Sequence, residues 1–238
     1  PLSALDGVPV TVKENIGTAG DPAPIGVPIA DMTPRAEDTP VPARLREAGC
    51  VILGKTTMPD YGMMSSGLSS LHGITRNPWD LTKNPAGSSS GAGAAAAAGY
   101  GPLHIGTDIG GSIRLPAAHC GLFGLKPSYG RVPIHPPFLG RVAGPMTRKV
   151  EDGALLMNVI ARPDPRDYAS LPYEDHDYVR GLGRLALKGL RIGVITAMQA
   201  GLPADPAIVR AVKAAARVLA AEGAVVTPVE GYLTHAML

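Results

Sequence analysis

Between residues 7 and 13 apolar and polar positions alternate. Val8, Val10 and Val12 fall on one face, and Pro9, Thr11 and Lys13 fall on the other. This period of two predicts a strand whose valines enter a core, with Lys13 closing it on the opposite face. A Pro- and Gly-rich loop follows to about Asp38. Thr39 stands where a helix is capped, Val41, Leu45 and Ala48 share one helical face, and Gly49 supplies the stop after Glu47. Residues 50–53 form a short apolar run and predict a buried strand. Residues 58–83 show no clear period and read as loop and short helix.

Small residues dominate 92–100, predicting a helix that lets a neighbouring backbone come close. A strand is expected at 102–106 and a tight turn at 107–112. Val150, Leu155 and Val159 give 149–160 a helical apolar face, 168–184 reads as a polar surface connection, and 189–196 as a strand. Asp205-Pro206 is a helix start, Gly223 stands beyond the helix end, and 224–229 is a further strand. The recurrence of strand, helix and strand predicts an α/β fold with a mixed, largely parallel sheet.

Composition narrows the class. The 238 residues are 45% hydrophobic and only 4% aromatic, with 30 glycines and 24 prolines, which describes a compact, turn-rich chain rather than a disordered one. A net charge of +2, with no basic run, gives no reason to expect nucleic-acid binding. Cys50 and Cys120 lie far apart and form no metal-binding or redox motif, so reduced, buried thiols in a cytoplasmic protein are favoured over a disulfide. No basic-then-apolar leader is present, and no membrane association is expected. The chain opens on Pro1 and ends at Leu238 without an obvious cap, so trimming is expected at either end.

The chemistry concentrates in residues 84–114. From Asn84 to Thr107 there is no charged residue, Ser88, Ser89 and Ser90 stand in a row, and a second glycine turn delivers Ser112. A serine hydroxyl needs a base to become a nucleophile. His104 and His119 lack a suggestively placed acid, a lone histidine is usually structural, and no GxSxG elbow is present. Lysine is the remaining base, provided that burial keeps it uncharged. Of seven lysines, Lys13 and Lys55 each follow an uncharged strand and are rivals. In Thr107–Ser112, TDIGGS, two glycines permit a backbone path on which successive N–H groups converge, as an oxyanion hole requires.

Two motifs mislead. Residues 49–56, GCVILGKT, match the phosphate-loop pattern by letter, but the apolar strand falls where the cradle should be. Gly91, Gly93 and Ala96 match a loose dinucleotide fingerprint, but serines rather than a strand precede them.

The chain resembles the amidase signature family, whose members hydrolyse or transfer from amides by a Ser–cis-Ser–Lys triad. The resemblance rests on GVPVTVKENI at 7–16, ARLREAGCVILGKTTMPDYG at 43–62 and TRNPWDLTKNPAGSSSGAG at 75–93. It continues with GTDIGGSIRLPAAHCGLFGLKPSYGRVP at 106–133 and VAGPMTRKVEDGALLMNVI at 142–160. These segments run in the family's order over most of the first 160 residues, and the later strand-helix-strand also resembles the family. The resemblance implies one amidase signature domain over 1–238 with its catalytic core at about 7–160, helices on both faces of the sheet and, because family members are considerably longer, a fold incomplete at both ends.

Residue by residue, Lys13 matches the base, Ser112 the acylating nucleophile and Ser88 the bridging serine with a cis peptide bond. The N–H groups of Ile109, Gly110, Gly111 and Ser112 match the oxyanion hole, and Asp108 and Arg114 match residues that brace the loop. This chain has AGSSSG where the family usually has GGSSGG, so Ala86 and Ser90 take glycine places and Ser89 becomes the fallback bridge. Met63, Met64 and Phe138 are candidates for the acyl-pocket lining.

The implied activity is hydrolysis of a small-molecule carboxylic amide without metal or organic cofactor. One alternative is the A subunit of a glutamine-dependent tRNA amidotransferase; another is a non-catalytic fragment or scaffold. The segment MMSSGLSSLHGIT at 63–75 is less polar than amidotransferase members tend to carry, which favours the stand-alone enzyme. Expected assemblies are a homodimer, or partner subunits in the amidotransferase case.

Overall fold

The computed structural model describes residues 1–197 and 204–231. They fall into two compact units, Pro1–Arg180 and Gly181–Leu238. In the first unit the chain runs β1 (Pro9–Lys13), α1 (Pro40–Glu47), β2 (Val51–Thr56), a 3₁₀ turn (Asp60–Gly62), and a small hairpin of β3 (Leu68–Ser69) and β4 (Gly73–Ile74). There follow α2 (Ser90–Ala98), β5 (Leu103–Asp108), α3 (Arg114–Cys120), β6 (Phe123–Gly124), β7 (Val142–Thr147) and α4 (Val150–Ile160).

Five strands form one mixed sheet in the order β2-β1-β5-β7-β6. The pairs β1–β2 and β1–β5 are parallel, and β5–β7 and β6–β7 are antiparallel. The valine face of β1 behaves as its alternation predicts. Val10 and Val12 join Leu103 and Ile105 of β5 in a buried cluster with Val41 and Leu45 of α1 and Leu156, Met157 and Ile160 of α4. A smaller cluster of Ala92, Ile113, Ala117 and Met146 joins α2 and α3 to β7.

The opposite face of β1 is buried as well: Thr11 and Lys13 are both covered. Helix α2 makes this closeness possible because it carries only Ser, Gly and Ala. A Cβ at Gly91 would stand 2.4 Å from the Thr57 nitrogen, so that turn of the helix tolerates no side chain. His104, on the same face, lies between Thr11 Oγ1 at 2.8 Å from Nδ1 and the Gly101 carbonyl at 3.2 Å from Nε2. Burial lowers its pKa to about 4. A neutral ring that accepts at Nδ1 and donates at Nε2 satisfies both contacts, so His104 is a structural residue.

Several expectations shift. Strand β2 runs on to Thr56, with a bulge that pairs Thr11 with Gly54 and leaves Leu53 exposed. It occupies the span between the two glycines of the phosphate-loop look-alike, and Gly91 and Gly93 lie inside α2 rather than in a strand-to-helix turn. Thr39 does occupy the position before α1, but its hydroxyl donates to the Gly17 carbonyl at 2.9 Å rather than capping the helix. Strand β7 and helix α3 have no counterpart in the sequence pattern.

In the second unit, β8 (Arg191–Val194) and β9 (Val225–Pro228) pair in parallel, with α5 (Pro206–Ala221) between them in the chain. Asp205 caps α5 by accepting from the Ala207 N–H at 2.7 Å. The ends of the strand expected at 189–196 and of the helix both remain as the pattern has them to within a few residues. Among the described residues no helix is long and apolar enough to cross a membrane.

Candidate active site

In an open α/β sheet, a crevice forms beyond the carboxyl ends of the strands where the chain leaves one strand for opposite sides. Here that strand is β1, with β2 on one side and β5 on the other. Its last residue is Lys13. The side chain is wholly buried, and Nζ donates to Ser88 Oγ at 2.8 Å and to Thr107 Oγ1 at 3.0 Å. Asn15 Nδ2 donates to the same Thr107 oxygen at 3.0 Å. Burial, reinforced by the Arg141 guanidinium and opposed by Asp108 and Glu14, lowers the pKa of Lys13 to about 7.

Lys55, its rival, is engaged elsewhere. Its ammonium donates to the Ile16 carbonyl and the Thr18 hydroxyl, and burial lowers its pKa to about 8 against three nearby carboxylates. Only Lys13 of the two reaches a serine hydroxyl.

The peptide bond between Gly87 and Ser88 is cis. Ala86 has φ of 61°, a left-handed conformation that suits the glycine usual there in the resembling family better than alanine. The Ser89 N–H donates to the Ser112 carbonyl at 3.0 Å, which ties the two serine loops together. The Ser89 hydroxyl is held by the Thr107 main chain, 3.1 Å from its carbonyl and 3.2 Å from its nitrogen, and makes no bond to Lys13. Ser90 opens α2 and reaches only the Thr57 carbonyl.

Asp108 organises the second loop. Its buried carboxylate accepts from the N–H groups of Gly111 at 2.8 Å, Ile113 at 3.0 Å and Arg114 at 3.3 Å. It also accepts from Arg114 Nε at 3.0 Å and Nη2 at 2.9 Å. Burial alone would raise its pKa, but the Arg114 pair and the three N–H groups prevail and hold it at about 2. Gly111 has φ of +125°, which orients this turn.

Its N–H is spent on Asp108. Among the expected oxyanion donors, those of Ile109, Gly110 and Ser112 therefore remain without a partner in the described residues.

The Asp108→Asn variant presents one acceptor where the loop offers five donors. It is expected to lower stability by about 2 kcal/mol and to reduce turnover at least tenfold. Denaturant midpoints and initial rates check this. A variant with wild-type values for both would remove Asp108 from its bracing role.

Ser88 and Ser112 line one cavity of about 250 Å³, together with Asn15, Thr107, Ile109, Gly110 and Arg141. The segment Tyr61–Ser65 forms another wall, so Met63 and Met64 are part of the lining. Phe138 is not; it lies beneath Arg141, whose guanidinium carbon is 4.4 Å from the ring centroid. Sequence reasoning passed over Asn15, Tyr61 and Arg141. Asn15, two residues beyond Lys13, was the one within reach of a positional argument. Cys50 and Cys120 are both free and buried.

Known proteins match this chain over most of its length. The family model described as Amidase matches residues 1–238. The A subunit of the glutamyl-tRNA(Gln) amidotransferase of Symbiobacterium thermophilum is 47% identical over 201 residues, covering 81% of this chain and 40% of that protein. The native peptide amidase of Stenotrophomonas maltophilia superposes with a TM-score of 0.86 at 37% identity, covering 96% of this chain and 49% of that one. A bacterial aryl acylamidase described as one of the amidase signature enzymes superposes with a TM-score of 0.89 at 35% identity, covering 97% and 48%. The chain thus spans about half the length or less of these relatives.

Proposed function

Because this chain belongs to the amidase family, we propose that it carries the acylating centre of an enzyme that cleaves carboxylic amides through a serine acyl-enzyme. The observation that carries this reading is the buried 2.8 Å contact between Lys13 Nζ and Ser88 Oγ, at the wall of the cavity that Ser112 also lines.

With a pKa of about 7, Lys13 is substantially uncharged at neutral pH. The contact then runs with the Ser88 O–H donating to the amine lone pair, while Nζ–H remains donated to Thr107. As Ser112 Oγ bonds to the carbonyl carbon, its proton passes to Ser88 Oγ and the Ser88 proton passes to Lys13. The negative charge develops on the carbonyl oxygen, which the N–H groups of Ile109, Gly110 and Ser112, without partners among the described residues, are left to stabilise. Collapse breaks the C–N bond, and the proton returns by the same path to the leaving amine. Water then repeats the attack on the ester and releases the acid and Ser112.

Asp108 and Arg114 act on this sequence by holding the loop, and Ser89 by tying it to the first serine turn. The family match spans both compact units, and we treat 1–238 as part of one amidase signature domain with its catalytic core at about 7–160. Two unpaired buried thiols support a reducing compartment such as the cytoplasm.

The pH profile tests the base. Lys13 must lose a proton to work, so kcat/KM is expected to fall tenfold per unit as pH drops below about 7, the value to which burial brings its pKa. A rate flat from pH 8 to pH 5 would rule out Lys13 as base.

A second reading is favoured by the 47% identity to the A subunit of an amidotransferase. Under it the amide is glutamine, the product ammonia is passed on, and partner subunits are present. Ammonia release from glutamine and co-purification of partners, against turnover of simple amides by the isolated chain, separate the two readings.

A further inference from the structure

Arg141 has no counterpart in the proton path. Arg141 lines the cavity shared by Ser88 and Ser112, and its guanidinium carbon stands over the Phe138 ring. No hydrogen bond or ion pair occupies it among the described residues, whereas Arg44, Arg46, Arg114, Arg131 and Arg166 all pair with a carboxylate. Among the described residues no acidic side chain lines the cavity, and Arg141 is the sole charged residue on its wall. Asp108, the nearby acid, is saturated by five donors.

We propose that Arg141 is a specificity residue, selecting amides that carry a carboxylate close to the scissile bond. A half-buried guanidinium left unpaired at the wall of a reaction cavity offers planar, forked donors that match a carboxylate. The Phe138 ring, 4.4 Å from the guanidinium carbon, holds the group by a cation–π contact. With no opposing acid in the wall, the cavity attracts anions and disfavours cationic substrates. The carboxylate can sit on the acyl side, as in the monoamide of a dicarboxylic acid, or on the amine side, as in an N-acyl amino acid. The inference rests on the proposed amidase reading and adds the substrate class.

The experiment compares kcat/KM on the full chain for succinamate against butyramide, and for N-acetylglycine against N-acetylethylamine, in wild type, Arg141→Met and Arg141→Lys. Labelling of Ser112 by a neutral alkyl fluorophosphonate is followed alongside. The expected result is a preference of about tenfold to a hundredfold for the charged member of one pair, lost in Arg141→Met and partly restored in Arg141→Lys. The leading pair shows on which side the carboxylate lies. A wild type that does not distinguish charged from neutral partners overturns the inference, as does a preference that survives Arg141→Met. An acid limb displaced in Arg141→Met with the preference intact also overturns it, assigning Arg141 to the electrostatics of Lys13 alone. Absence of Ser112 labelling in wild type would instead strike the amidase reading itself.

Discussion

Replacing Ser112 by alanine is expected to lower kcat/KM by about 10⁴-fold or more, because removal of the proposed nucleophile leaves only binding and oxyanion stabilisation. The Ser112 side chain is partly exposed at the cavity wall and its hydroxyl makes no hydrogen bond within the described residues. Its removal therefore leaves no stranded partner, and stability should change by about 0.5 kcal/mol or less. The main-chain bond from Ser89 to the Ser112 carbonyl persists, so the two serine loops stay joined. Steady-state kinetics, a phosphonate label followed by mass, and a thermal melt read the three parts. Turnover within tenfold of wild type would show that another group attacks the carbonyl.

Substitution of Lys13 by methionine is expected to cost about 10²- to 10⁴-fold in kcat while making the protein more stable at neutral pH. The sign follows from linkage. The folded-state pKa of about 7 lies below the ordinary lysine value of 10.5, chiefly through burial. Between those values the unfolded chain binds more protons than the folded one, so stability rises with pH from about 7 to 10.5. The penalty is complete below about 7 and vanishes above 10.5. Methionine has no such term. Its stability advantage should be greatest at pH 7 and below and should close as pH approaches 10.5, as parallel denaturant titrations would show. A Lys13→Met protein less stable than wild type at pH 7 would mean that the bonds to Ser88 and Thr107 outweigh burial of the amine.

The elements legible in the sequence were those with a strong internal period. The valines of β1 and the apolar stripes of α1 and α4 announce their faces because each packs against a single apolar layer. Strand β7 does not, since Val142–Thr147 is buried throughout and contains Gly144 and Pro145. A proline ordinarily argues against an inner strand. The Pro145 carbonyl, however, accepts from the Leu125 N–H on the β6 side, and its ring nitrogen points the same way, so no bond to β5 is lost. Helix α3 is seven residues with an internal Pro116, too short for a periodic signal.

Within the site, the polar face of β1 looked ambiguous because α2, which covers it, consists of residues with no side-chain pattern to read. The choice between Lys13 and Lys55 had the same origin. Both follow uncharged strands, and only the fold decides which amine meets a serine and which meets the Ile16 carbonyl. Arg141 gave no signal because its meaning lies in the absence of an acid opposite it, a property of the cavity rather than of neighbouring letters.

The nearly bare surface of α2 backs the serine turns with material unlike that of the cavity walls. Where Gly91 meets Thr57 there are no rotamers to adjust and no slack to absorb an added carbon, so any enlargement on that side moves the backbone holding Ser88 and Ser89. On the loops at Tyr61–Ser65 and Phe138–Arg141, Met63, Phe138 and Leu139 carry long, exposed side chains that can change size, whereas Gly62 cannot, because a Cβ there would stand 3.2 Å from Ser88 Oγ. Attempts to widen or redirect this chamber for new amides belong on those loops, and libraries aimed at the alanine helix should return mostly inactive protein.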